Sequence, residues 1–92
     1  MALKIEVEHH PSEARLSELG VREWPIWTKE LSTFHWEYDS TETCFFLEGE
    51  VVVTPLGDAP VPMGNGDLVT FPRGMECTWQ VKKPVRKHYA FE

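Results

Sequence analysis

The stretch that most constrains the fold of this chain is residues 34–49, F-H-W-E-Y-D-S-T-E-T-C-F-F-L-E-G. Successive side chains of an extended chain point to opposite faces, so Trp36 and Tyr38 share one face. After a polar break, Glu42 and Cys44 share a face by the same rule. Because an ionised carboxylate is rarely buried without a partner, an inward Glu42 is the first candidate for a functional group.

The rest of the chain predicts short strands and a single short helix. Residues 3–8, L-K-I-E-V-E, alternate apolar and charged side chains as a half-buried strand does. The segment E-A-R-L-S-E-L lies between Ser12, which can cap a helix start, and Gly20, which can end one. Further along, prolines and glycines separate β-branched and aromatic segments, the last being residues 75–81 and 85–91. The pattern favours an all-β closed barrel or sandwich with one short N-terminal helix.

Length and charge limit the class of protein. A chain of 92 residues is expected to form one domain, residues 1–92. The net charge of −6 argues against nucleic acid and anionic lipid as partners, and no apolar run approaches the roughly 20 residues that span a bilayer. Two cysteines do not make a secreted disulfide scaffold, so they are read as reduced thiols in a cytoplasmic protein.

Basic and imidazole side chains of the second half are interpreted as surface groups. Lys82, Lys83, Arg86 and Lys87 fit a solvated edge strand protected by charge. His35 is expected on the outer face by alternation, and His88 is read as a strand-edge histidine without a role.

Two spacings then give a specific resemblance. Glu42 and Gly49 are separated by six residues, and Gly66, Pro72 and Gly74 follow the pattern Gly, five residues, Pro, one residue, Gly. These are the ends of the two cupin motifs, so the chain resembles the cupin (RmlC-like) superfamily. The resemblance implies a small single-domain cupin β-barrel (a double-stranded β-helix or jelly roll).

The first motif spans residues 34–49 and the second about residues 66–81. Within the superfamily, W-P-I-W, F-x-W-x-Y and G-D-L-V-T-F-P-R-G resemble the ureidoglycine aminohydrolase-like and ethanolamine-utilisation-like cupins. The likeness is greatest to their small stand-alone members, whose activity is unassigned.

The metal ligands that cupin motifs usually carry are largely replaced here. Trp36 and Tyr38 stand where the first motif has two histidines, and Cys77 stands where the second has one. Glu42 alone remains of the usual set, and a transition-metal site generally needs three or four ligands. No cofactor or metal is therefore expected; a divalent ion, if bound, would be held by Glu42 and Cys77.

The predicted site is a pocket at the barrel mouth. Glu42, Cys77 and Tyr38 are the candidate catalytic residues, because a carboxylate, a thiol and a phenol can do acid–base or nucleophilic work when their pKa values are shifted. The same side chains could instead form a satisfied buried network without catalysis. The candidate ligand-binding set is Trp36, Tyr38, Glu42, Cys44, Cys77 and Trp79.

Three functions stay open at this point. The first is a cupin that binds a small molecule in the barrel pocket with a degenerate metal site. The second is a metal-dependent hydrolase resembling ureidoglycine aminohydrolase. The third is a non-catalytic structural or interaction module with a filled barrel, expected as a homodimer because cupins commonly pair through their outer sheets.

Overall fold

The computed structural model of the protein describes residues 3–92, which form strands, one α-helix and one short 3₁₀ helix. No helix in this part of the chain is long and apolar enough to cross a membrane. The expected all-β chain with one short N-terminal helix is confirmed. The elements are β1 Glu6–His9, α1 Glu13–Leu19, the 3₁₀ helix Val21–Glu23, β2 Ile26–Lys29, β3 Ser32–Glu37, β4 Glu42–Pro55, β5 Val61–Gly64, β6 Asp67–Phe71 and β7 Glu76–Phe91.

Helix α1 has the two caps that its sequence predicts. The Ser12 hydroxyl accepts a hydrogen bond from the Arg15 amide at 3.1 Å, and Gly20 ends the helix in the left-handed conformation with a φ of 70°. Leu16 is the buried side chain of the helix and packs with Phe45 of β4 and Leu68 of β6. The helix therefore covers one face of these two strands.

All seven strands belong to one antiparallel sheet, whose main path runs in the order β1-β6-β4-β7-β2. Two further strands lie off this path: β3 pairs with β7, and β5 pairs with β4. Within residues 3–92 the hydrogen bonding does not close, because β1 and β2 are left as the two ends of this path. The strand pattern predicted a closed barrel or a sandwich; the β-rich fold is confirmed, and its strands form one sheet that hydrogen bonds do not close in this part of the chain.

Strands β4 and β7 pair along almost their full lengths and form the central ladder of the sheet. Glu42 lies opposite Phe91 at one end, and Pro55 lies opposite Cys77 at the other. The segments 75–81 and 85–91 were predicted as separate strands, but they are one strand of 16 residues. Pro84 falls where the register shifts, so its missing N–H does not interrupt a regular ladder.

The inner face of this ladder carries the main core. Alternating residues of β4 and β7 point inward, and β6 contributes the layer beside them. This face leads to the site through Trp79, which belongs to the core and also lines the cavity. The buried members from these strands are Cys44, Phe46, Val51, Val53, Val69, Phe71, Cys77, Trp79, Val81 and Val85.

Gly49, the last residue of the first motif, permits a close approach of β4 to β7. Its φ is +115°, and a Cβ added there would lie 2.8 Å from the Pro84 carbonyl oxygen and 2.9 Å from the Val85 Cα. Both contacts are with backbone, which cannot move aside without disturbing the ladder. The glycine at the end of the first motif therefore has a steric cause in this fold.

Substitution of Gly49 by Ala is predicted to lower the free energy of unfolding by at least about 2 kcal/mol, because it adds backbone strain to a steric overlap. Gly57→Ala is the matched control, since Gly57 also has a positive φ, +76°, but no atom within 4 Å of an added Cβ. The control is expected to cost about 1 kcal/mol. Urea unfolding of both variants measures the difference, and equal costs would contradict the steric explanation.

Candidate functional site

A cavity of about 210 Å³ lies on the inner face of the sheet. Its walls come from four strands, β2, β3, β4 and β7, and from the residue that follows β3. Most of the surface is aromatic, and the exceptions are one carboxylate and one ammonium group. The lining residues are Trp27, Phe34, Trp36, Tyr38, Glu42, Trp79, Lys87, Tyr89 and Phe91.

The two charged residues of the cavity form a buried ion pair. Lys87 Nζ donates a hydrogen bond of 2.8 Å to Glu42 Oε2, and the two side chains are 5% and 6% exposed. Glu42 is the first residue of β4 and Lys87 lies near the end of β7, so the pair joins the two longest strands. Each charge compensates the other, and either charge buried without its partner would be strongly destabilising.

The Lys87 ammonium is also surrounded by aromatic rings. Its Nζ lies 4.7 Å from the ring centroid of Trp79 and 4.9 Å from that of Trp27. Phe71 and Phe46 follow at 5.7 and 5.8 Å. Rings within about 6 Å attract a cation through their quadrupoles, and the attraction grows when water is excluded. The site therefore stabilises a positive charge at this nitrogen in two independent ways.

The prediction that Lys87 lies on a solvated edge strand is wrong. Lys82, Lys83 and Arg86 are exposed as expected, whereas Lys87 is buried. The strand alternation already contained the signal: Lys87 has the same parity as Trp79, both of which point inward on β7. A lysine among other charged residues is typical of an exposed segment, so its charge alone does not indicate the inward position that alternation gives it.

The structure brings together four of the six predicted ligand-binding residues. Trp36, Tyr38, Glu42 and Trp79 all line the cavity. The sulfur-bearing residues Cys44 and Cys77 share the inner face but do not contribute to the cavity wall; they are 0% and 2% exposed and belong to the core. The wall is made by the larger side chains around them.

Burial acts on the ionisable groups near the cavity. It raises the pKa of the Cys44 thiol to about 12 and that of the Cys77 thiol to about 11. Burial, and then the nearby Glu42 carboxylate, raise the pKa of the Tyr38 phenol. At neutral pH these groups are therefore protonated, so Tyr38 is a hydrogen-bond donor and Cys77 lacks the thiolate that a nucleophile requires.

Trp79 carries a polar atom without a partner. Its indole N–H lies near the polar atoms of Tyr38 and Cys77, but it is buried and makes no hydrogen bond within residues 3–92. An unpaired buried donor costs about 1–3 kcal/mol.

The side chains of the cavity do not fit the metal centre that cupin motifs imply. Glu42 already pairs with an ammonium group, whose charge opposes a divalent cation at the same carboxylate. In the part of the chain that the structure describes, Glu42 and Cys77 belong to no cluster of three metal-ligating side chains.

A cluster of three side chains that can ligate a metal lies on the outer face. His35, Glu37 and Glu76 have ligand atoms within 4.8 Å of one another, and His35 and Glu37 are exposed. The outward position of His35 is as predicted.

His88 has a structural contact rather than a place in the cavity wall. Its Nδ1 lies 2.8 Å from the Trp24 carbonyl oxygen, and the residue is 8% exposed. The interpretation as a strand-edge residue is corrected, because β2 pairs with β7 at this position and covers it.

An antiparallel sheet with two long central strands, and a pocket bounded by residues of both sequence motifs, defines a small cupin. The chain belongs to the EutQ-like cupin domain family, whose sequence model matches residues 16–89. The resemblance expected from the motifs is thereby confirmed.

Solved structures agree with this assignment. A DUF861 family protein from Thermotoga maritima is 48% identical, with a TM-score of 0.93 over 97% of this chain and 100% of that one. The EutQ protein of Clostridium difficile is 22% identical, with a TM-score of 0.63 over 70% of this chain. A putative ethanolamine utilization protein Q from Salmonella typhimurium is 23% identical, with the same TM-score of 0.63 and 70% coverage.

The matches cover 50% and 51% of these two proteins, so this chain spans about half their length. No curated protein matches the chain.

The ion pair predicts a specific pattern of stabilities. Glu42→Gln and Lys87→Met are each expected to lower the free energy of unfolding by about 3–5 kcal/mol, because each leaves the other charge buried and unpaired. The double variant is expected to cost clearly less than the sum. Urea unfolding of the unmodified protein, the two single variants and the double variant measures the interaction free energy of the pair. The exposed Lys82→Met is the control and is expected to change the free energy of unfolding by less than about 0.5 kcal/mol. Additive losses would contradict a buried, coupled pair.

The raised thiol pKa values predict slow modification of the native protein. At about pH 8 the Cys77 thiol is ionised to roughly one part in a thousand, and Cys44 less still. We expect almost no reaction with Ellman's reagent in buffer and two thiols per chain in urea. As the pH rises, Cys77 should react before Cys44, because its pKa is the lower of the two. Rapid labelling of both thiols under native conditions would show that they are ionised or accessible.

Proposed function

We propose that this protein binds a small organic molecule in the cavity, with the apolar part of the molecule among the aromatic side chains and its polar end at Glu42 and Lys87. The observation that carries the proposal is a buried ion pair at the edge of a cavity of about 210 Å³ that protein atoms leave unfilled.

The energetics of the pair favour a role in binding. Replacing a buried ion pair by apolar residues of similar volume is often neutral or stabilising, so stability alone does not account for its presence. Mostly apolar pockets with a few convergent polar groups are typical of small-molecule sites. The aromatic lining with Glu42 and Lys87 corresponds to that description.

The polar groups also indicate what the molecule carries. The protonated Tyr38 phenol is a hydrogen-bond donor in the cavity wall. A ligand with an oxygen acceptor next to an aromatic or apolar group would satisfy this donor. A hydroxyl or carbonyl oxygen on a compact ring is the simplest case.

The other two functions have less support. A filled structural module does not account for the open cavity, and a metal-dependent hydrolase does not account for an ammonium group on the one remaining motif carboxylate. The EutQ proteins are less than 25% identical to this chain, so their link to ethanolamine utilization does not carry over as a substrate.

The four tryptophans provide a direct test. Trp27, Trp36 and Trp79 line the cavity, whereas Trp24 packs against a separate buried cluster formed by Leu16, Val21, Phe45 and Leu68. Titration with benzyl alcohol should shift the indole N–H signals of the first three in ¹H–¹⁵N NMR spectra, and the Trp24 signal should stay in place. Uniform shifts, or none at millimolar concentrations, would contradict the proposal.

A substitution at the rim of the cavity extends the same test. Trp36 is 45% exposed, so Trp36→Ala should leave the fold intact and weaken benzyl alcohol binding about fivefold or more by removing one wall. Leu31→Ala is the control, since Leu31 is 64% exposed and outside the cavity wall. Equal affinities of the two variants would show that the molecule binds elsewhere.

A further inference from the structure

We infer that the Lys87 amine forms a Schiff base with a carbonyl compound bound in this cavity, an aldehyde or ketone whose carbonyl carbon bears an aromatic or other apolar group. The inference rests on the proposed function, because it names the class of molecule that the same site would take. It follows from three features of Lys87: its position, its proton acceptor and its surroundings.

Position distinguishes Lys87 from the other amines. It is the one lysine in the cavity wall among the described residues, and Lys4, Lys29, Lys82 and Lys83 are exposed. Lysine amines in apolar pockets are the groups that form Schiff bases with carbonyl substrates. The aromatic wall places the apolar part of such a substrate beside this nitrogen.

The proton acceptor is Glu42. An ammonium nitrogen has no lone pair and becomes a nucleophile only after it loses a proton. Glu42 Oε2 lies 2.8 Å from Lys87 Nζ, within the reach required of a general base. Tyr38 lies on the same wall with its phenol protonated, so it can donate a hydrogen bond to the carbonyl oxygen and polarise the carbonyl group.

The surroundings stabilise the product. A protonated imine carries its positive charge at the same nitrogen as the ammonium group. The Glu42 carboxylate and the rings of Trp27 and Trp79 therefore stabilise the product cation as they stabilise the reactant. Burial limits the access of water that would hydrolyse the imine.

The reaction balances within the site. Glu42 takes one proton from the Lys87 ammonium, and the free amine bonds to the carbonyl carbon while the C=O electron pair moves to oxygen. A proton moves from nitrogen to that oxygen and gives a carbinolamine. Glu42 then protonates the hydroxyl, which leaves as water while the nitrogen lone pair forms the C=N bond. Ammonium and carbonyl become iminium and water, and Glu42 is again a carboxylate.

Reductive trapping tests the inference on the intact protein. Benzaldehyde is added at low concentration with sodium cyanoborohydride, which reduces an iminium to a stable benzyl amine. Peptide mapping by mass spectrometry then compares the five lysines. We expect labelling of Lys87 at least about tenfold faster than of any exposed lysine, and competition by benzyl alcohol, which has the same ring but no carbonyl group.

Two variants separate chemistry from folding. Lys87→Arg keeps a positive charge beside Glu42 but has no primary amine, so the fast label should disappear. Glu42→Gln removes the proton acceptor and should slow labelling of Lys87 about tenfold or more, without changing the rate at Lys29. Circular dichroism and the Trp24 indole signal check that each variant is folded.

The outcomes distinguish this inference from the proposed function. If benzyl alcohol binds in the cavity but Lys87 is labelled no faster than exposed lysines, the Schiff base is wrong and small-molecule binding stands. If benzyl alcohol does not bind, the proposed function fails and the inference with it. If Lys87 is labelled equally fast in the unmodified protein and in the Glu42→Gln variant, Glu42 is not the proton acceptor and that part of the inference is overturned.

Discussion

The hydrogen bond between Glu42 and Lys87 is the interaction on which the site depends. It connects the start of β4 to the end of β7, the two strands that pair along most of the sheet. Burying these two charges is tolerated only because they lie 2.8 Å apart and because aromatic rings surround the ammonium. Two of these rings, Trp27 and Trp79, also line the cavity, so part of the packing that compensates the charge shapes the space beside it.

The pair also explains how a cupin can keep its first-motif carboxylate without the metal ligands around it. A positive charge is still required next to a buried Glu42, and here Lys87 supplies it. An ammonium group neutralises the carboxylate but offers no open coordination position. It does offer a primary amine, so the chemistry available at this cavity differs from that of a metal-binding relative.

Much of the fold could be predicted from the sequence because its signals are local. Ser12 and Gly20 mark a helix by capping, and Glu42 and Gly49 mark a cupin motif that has a steric cause at Gly49. Alternation also placed Glu42 inward. The ion pair could not be predicted in this way, because Lys87 and Glu42 are 45 residues apart. A lysine among other charged residues is typical of an exposed segment, so its burial depends on a partner that the local pattern does not show. The continuity of β7 was missed because tolerance of Pro84 depends on register shifts that only pairing reveals.

A crystal structure of the protein with benzyl alcohol would show what occupies the cavity. We expect density for one molecule among Trp27, Trp36 and Trp79, with the Glu42–Lys87 hydrogen bond in place beside it. A cavity closed by its own side chains, or a Lys87 that turns outward to solvent, would show that the ion pair does not form a small-molecule site.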